Sequence, residues 1–204
     1  MWLAVIAAVI LLLRPLLHQR STAASFACHA MMALPFFALA SRFMANDTSF
    51  AHVVSYGGED LPLKYRFAAT WAAREGPLLL WVVWMSLLAY VWRKKMPGEA
   101  SELTHSSRLR FVHGFSLLLL LLAFNLDPFK PSLGNGLGQG LNELLQTDLM
   151  VIHPPLIFLA YSFCLHLAAV SLSSMFFESK GIKQRMLTIA RPGLLISTLG
   201  IGLG

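Results

Sequence analysis

The chain has 204 residues, of which 56% are hydrophobic and only 13% charged, with a mean hydropathy of +0.63. A soluble domain carries about 25% charged residues, so the composition excludes an ordinary soluble enzyme and indicates an all-α, polytopic transmembrane helical bundle. The net charge of +6 does not signal nucleic acid, because the basic residues sit in short loops between apolar runs, where they report topology.

Six apolar segments are read along the chain, at about residues 2–17, 21–43, 76–92, 109–124, 154–177 and from Pro192 onward. The first is short, and Arg14 near its end must snorkel or mark the boundary. It does not read as a cleaved signal peptide, in which positive charge precedes the apolar core; here Arg14 and Arg20 follow it. Cys28 and Cys164 lie in separate apolar segments with no C-x-x-C spacing. That spacing argues against a disulfide framework or a thiol redox site, and both cysteines are expected to be buried small hydrophobes.

The distribution of basic residues predicts the orientation. Arg14, Arg20, Arg93, Lys94, Lys95, Arg108, Arg110, Lys180, Lys183, Arg185 and Arg191 fall on one side, and Arg42, Lys64, Arg66, Arg74 and Lys130 on the other. The richer side is inside. The N-terminus and the loops at 46–70 and 127–152 are then outside. The sixth span runs outward, and 13 residues follow Arg191, short of the ~20 that a crossing needs. The expectation is a single membrane domain over residues 1–204 with about six spans, the last incomplete. The outer loop at 133–141 contains GNGLGQG, but no Gly-Lys-Ser/Thr follows and no strand precedes, so a flexible loop is expected instead of a nucleotide site.

The centre of the sequence is LNELLQTDLMVIHPPLIFLAY, residues 141–161. A residue before proline is pushed towards extended conformations, and proline is well placed in the first turn of a helix. These rules predict a helix starting at Pro154, with His153 just outside it at the outer membrane face, its ring presented. From spacing alone such a histidine is either a polar interfacial cap or a ligand.

Four stretches carry a family resemblance. The IHPPLIFLAY segment is similar to the IHPPLLFLGY of the CcmF family, the haem lyase subunits of the bacterial and mitochondrial cytochrome c maturation system. LPLKYRFAATWAAREGPLLLW, residues 61–81, resembles that family's LP-x-x-YR-x-AATW-x-x-HEGSLLLW. LNELLQT resembles its LNPLLQD, and RPGLLISTLGIGLG at the end resembles the helix leading into its tryptophan-rich WWD motif, which is absent here. The resemblance runs from about Asn46 to the end and implies an N-terminal portion of such a protein, whether a split-gene product or a truncated sequence.

The resemblance implies haem as the cofactor and His153 as an axial ligand on the outer face. Haem also needs apolar surface and cations for its propionates. Trp71, with Trp81, Phe67 and Tyr65, and the cations Lys64, Arg66, Arg74 and Lys130 lie on that side. The implied function is cytochrome c-type biogenesis, with haem held in position for covalent attachment to apocytochrome c. The implied partners are membrane lipid, a polypeptide carrying the WWD region, a periplasmic haem chaperone, and apocytochrome c with its thiol chaperones. The location is the bacterial inner membrane or the mitochondrial inner membrane. No nucleophile is expected from this chain, because the thiols belong to the apocytochrome.

Some residues depart from the pattern. Arg74 stands where the family has histidine, and it can pair with Glu75 at the mouth of the third span. Glu143 replaces a proline, and Thr147 stands at the family's acidic position with Asp148 one place on. His166 lies 13 residues beyond His153, about 20 Å down the same helix, so the two cannot share an iron. His29 and His113 lie nearer the inner face; a haem pair and neutral histidines bonded to carbonyls are both open there. A haem-free structural or transport subunit is the alternative function, disfavoured because the span centres hold no paired acidic and basic residues.

Overall fold

The computed structural model describes residues 1–14, 22–97, 99, 101–133, 138–177 and 180–204. Among these the chain forms α1 (Trp2–Leu13), α2 (Thr22–Met44), α3 (Ala51–Tyr56), α4 (Leu63–Ala69), α5 (Glu75–Val91), α6 (Glu102–Asn125), α7 (Asp148–Phe176) and α8 (Ile182–Leu203), with a 3-10 turn at Glu143–Leu145 and no strand. Leucine is among the strongest helix formers, and the six consecutive leucines at 117–122 give α6 both its propensity and its apolar surface. Helices α2, α6, α7 and α8 are long and apolar enough to cross a membrane, while α1 and α5 are shorter apolar helices. The fold is the polytopic helical bundle that the composition predicts.

Residues of α1, α2, α5, α6 and α7 share one apolar core around Phe36, Leu39, Phe43, Leu79, Met85 and Leu119. A smaller core of Leu88, Met96, Phe163, Val170 and Ile189 joins α8 to it. Helix α7 makes its most extensive contact with α8. Gly193 permits that approach, since a Cβ there would lie 2.9 Å from the Phe163 Cβ. The outside of the bundle is apolar: Ile201 is 73% and Leu194 70% exposed, as lipid-facing positions should be. Cys164 is exposed on this surface and Cys28 half-buried, against the burial expected of both. In lipid, apolar side chains have no reason to prefer the interior.

The helices alternate in direction, so α3, α4 and residues 126–133 and 138–147 gather at one end of the bundle. Phe50 bridges Pro131 across them, and the N–H groups of Gln139 and Gly140 bond the carbonyls of Val54 and Gly57. Of the glycine-rich stretch, residues 134–137 lie outside the described residues; its second half is pinned to α3 and is not a free loop.

Two helices start earlier than local rules predict. Helix α7 begins at Asp148, so His153, Pro154 and Pro155 lie inside it. The Thr147 hydroxyl accepts the Met150 N–H at 3.3 Å, and the Asp148 carboxylate faces the positive end of the helix dipole. Where water is scarce every backbone group needs a partner, and this cap outweighs the pre-proline bias. Helix α8 begins at Ile182 and carries Pro192 within it, giving 22 residues instead of the fragment expected from Pro192 onward. The charges at Lys183, Arg185 and Arg191 had masked its first turns.

At the opposite end, the short α5–α6 connection folds over a buried ion pair. Arg108 is 1% exposed and donates from Nε to Glu99 Oε1 at 2.6 Å, from Nη1 to the Trp92 carbonyl at 3.1 Å and from Nη2 to the Lys94 carbonyl at 3.2 Å. His105 Nδ1 lies 3.0 Å from Glu99 Oε2. Burial alone would raise the Glu99 carboxyl, but hydrogen bonds from His105 and Arg108, the Arg108 charge and the Met96 N–H bring it from the ordinary 4.5 down to about 2.

A carboxyl with a depressed pKa contributes stability above its unfolded value, and that contribution is lost as pH falls through the folded one. Glu99→Gln should therefore lower the thermal midpoint in detergent at pH 5, and the difference from wild type should shrink between pH 4.5 and about 2. For orientation, cysteines placed at Leu133, which is fully exposed, and at exposed Lys94 separate the two ends. With Cys28 and Cys164 replaced by serine, an impermeant thiol reagent applied from outside should label position 133 and miss position 94.

Candidate functional site

The first turn of α7 lies where α4, the turn after it and the end of α8 meet. Helix α7 places His153 half-buried, not presented outside the helix as the proline pair predicts. Its Nδ1 lies 2.9 Å from the Gly200 carbonyl. A carbonyl only accepts, so Nδ1 carries the proton, and in the neutral imidazole Nε2 is the lone-pair nitrogen. Gly204 packs on the same ring; a Cβ there would sit 2.5 Å from the imidazole Cε1.

Trp71 is 4% exposed, and its indole N–H donates to the Met150 carbonyl at 2.8 Å. Phe67 meets it edge-on at 5.0 Å. Lys64 donates to Asp148 in the first turn of α7, which holds the ammonium above its ordinary range. Lys64, Trp71 and His153 thus converge on one turn. Arg66 is turned away, donating to the carbonyls of Leu61 and Glu59. Arg74 is exposed beside the start of α5. Trp81 packs deeper, with Phe115, Phe158 and Tyr161 at 5.4, 5.9 and 5.7 Å.

An axial haem ligand needs an imidazole with one nitrogen tied to an acceptor and the other free, in apolar surroundings. His153 meets both conditions: it lines a cleft of about 210 Å³ with Leu144, Leu145, Leu149, Met150, Pro154 and Leu203. That cleft is smaller than the ~300 Å³ at which ligand pockets begin. A larger cleft of about 990 Å³ at the same end does not include His153, and Glu59, Asp60 and Glu143 line it, which suits propionates poorly. The residues fit one axial position and one face of a haem, not its enclosure.

One feature was missed by sequence reasoning. His52 of α3 lies with Nε2 2.7 Å from Oε2 of Glu75, a carboxylate that is 6% exposed; Glu75 pairs with His52 and not with Arg74. In the family pattern the histidine precedes the glutamate directly, whereas here an imidazole arrives from 23 residues upstream. The missing histidine at position 74 was the signal, though nothing in the sequence said where a substitute lay. Gly76 fixes the geometry, because a Cβ there would lie 1.7 Å from the Thr70 carbonyl oxygen.

Deeper in the bundle, the His29 and His113 rings meet edge-on at 5.3 Å. His29 Nδ1 donates to the Ser25 carbonyl at 2.7 Å, and His166 Nδ1 to the Ser162 carbonyl at 2.8 Å. Of the pair open to both readings, His29 is bonded to a carbonyl through Nδ1, while His113 Nδ1 has no hydrogen-bond partner among the described residues. Among the described residues no group of three or more His, Cys, Asp or Glu is arranged to hold a metal ion.

Removing the partner of a buried carboxylate leaves its desolvation uncompensated, a cost of about 1–3 kcal/mol. His52→Ala should therefore lower the thermal midpoint in detergent, and the loss should be much smaller when Glu75 is already glutamine.

No protein-family model and no solved structure matches the chain. Curated relatives do. The cytochrome c-type biogenesis protein CcmF of Escherichia coli is 35% identical over 130 residues, 62% of this chain and 20% of that protein. CcmF of Haemophilus influenzae is 32% identical over 143 residues, 67% of this chain and 22% of that protein. The probable cytochrome c-type biogenesis protein NrfE of E. coli is 32% identical over 183 residues, 86% of this chain and 32% of that protein. The chain spans between a fifth and a third of the length of these relatives. It belongs to the CcmF and NrfE family of cytochrome c-type biogenesis proteins, matching a portion of their length.

Proposed function

We propose that this chain acts in cytochrome c-type biogenesis by supplying His153 as an axial haem ligand on the outer face of the membrane. The observation that carries this reading is the His153–Gly200 hydrogen bond, which leaves Nε2 as a lone-pair nitrogen in an apolar cleft. Haem, when bound, brings the vinyl groups that accept the apocytochrome thiols, so this chain contributes ligation and positioning and no nucleophile. We assign Lys64 and Arg74 as the cations that would meet propionates: Arg74 is exposed, and Lys64 would exchange its present partner Asp148 for a propionate. Arg66 serves indirectly by holding the turn at 59–61.

Because the cleft admits only part of a haem, the remaining walls come from elsewhere. We assign them to a polypeptide carrying the WWD region. A periplasmic haem chaperone delivers the haem, and apocytochrome c arrives with its thiol chaperones. The membrane is the bacterial inner membrane, or the mitochondrial inner membrane in a eukaryote, with the N-terminus outside. The whole assembly would then act as a haem lyase of which this chain is one part.

His153→Ala also removes the bond to the Gly200 carbonyl, so haem is read per unit of accumulated protein; on that scale both co-purified haem and holocytochrome c should fall sharply, measured by absorbance and haem stain with all partners present. Added imidazole should restore part of the haem signal. His166→Leu, which keeps the volume about 20 Å deeper on the same helix, should retain maturation. Wild-type maturation by His153→Ala would overturn the assignment.

A further inference from the structure

Pro154 has no N–H, so the carbonyl of Met150, four residues before it in α7, lacks its helical donor. Such a carbonyl must be bonded from outside the helix. The Trp71 indole N–H does this at 2.8 Å. The tryptophan is itself held firmly: it is 4% exposed, packs edge-on against Phe67, and follows Thr70, whose carbonyl is pressed against Gly76. The missing proline donor and the indole donor meet on one oxygen, three residues before His153.

The imidazole is fixed from the other side by α8. The Gly204 N–H bonds to the Ile201 carbonyl, leaving the Gly200 carbonyl to take the His153 Nδ1–H. Backbone and ring are thus set by two different elements. At 4% exposure the indole presents no open face to a ligand; its influence passes through the turn that it holds.

We infer that Trp71 is a positioning residue for His153: by replacing the donor that Pro154 lacks, it fixes the first turn of α7 and so aims the imidazole Nε2. This rests on the reading of His153 as an axial haem ligand. Trp71 need not touch haem at all. Its indole N–H, and not its bulk, is the operative group.

The test is a cycle of Trp71→Phe, Pro154→Ala and the double variant, each in the full chain with the maturation partners present. Restoring an N–H at position 154 lets the helix bond the Met150 carbonyl itself, which makes the indole donor redundant. In the wild-type background Trp71→Phe should lower co-purified haem on the order of tenfold. The haem that remains should show the absorption spectrum of a weakened axial nitrogen. In the Pro154→Ala background the same change should cost less than about twofold, a coupling that independent sites do not show. If Trp71→Phe fails to accumulate, 3-benzothienylalanine at position 71 keeps the shape and removes only the N–H.

Equal losses in the two backgrounds would mean that Trp71 acts by packing or by direct contact, and would overturn the inference. Coupling in thermal unfolding with an unchanged haem spectrum in every variant would make Trp71 purely structural, and would overturn it too. Failure of the underlying reading looks different: His153→Ala would then retain the wild-type haem spectrum.

Discussion

A single carbonyl, that of Met150, governs the end of the bundle where His153 sits. Two consecutive prolines remove the donors for Met150 and Val151 from α7, and a proline inside a helix costs about 3 kcal/mol when nothing compensates. The indole of Trp71 supplies one donor from outside. That bond ties α7 to the turn after α4. Lys64 adds a second tie through Asp148, and α8 closes the arrangement through the Gly200 carbonyl. Three elements far apart in sequence are therefore obliged to meet at His153.

Elsewhere in the bundle several polar side chains bond within their own helix: His29 and His166 donate from Nδ1 to the carbonyls one turn back, and the Ser116 and Ser162 hydroxyls do likewise. Such back-bonding lets a helix carry polar side chains through an apolar medium without needing a partner helix. The two most deeply buried cations, Arg108 and Arg185, sit near connections: a loop brings a carboxylate and two carbonyls to the Arg108 guanidinium, and the Lys180 carbonyl and Ser174 hydroxyl accept from Arg185.

Much of this was legible in the residues. Six apolar runs became six apolar helices, and the loops around Lys64 and Lys130 gather at one end as the basic residues implied. The errors have separate physical causes. The start of α7 was misplaced because the pre-proline rule is local, whereas the Thr147 cap and the external donor are not. The start of α8 was hidden by Lys183, Arg185 and Arg191, which lower hydropathy without breaking a helix. The partner of Glu75 could not be read, because no periodicity links residues 52 and 75. Cys164 was placed inside by a burial rule that holds for water and not for lipid.

The proline pair also divides α7 into unequal cooperative units. The turn ahead of it is joined to the rest of the helix by fewer backbone bonds than any other turn of α7 would be, since two rungs are absent. Its resistance to local opening is then set largely by a tryptophan on a neighbouring element. In terms of native-state hydrogen exchange, the amides leading into His153 should open together with α4 and its following turn, although they are covalently the beginning of a 29-residue helix. The boundary of the unfolding unit would then cross the helix instead of coinciding with its end.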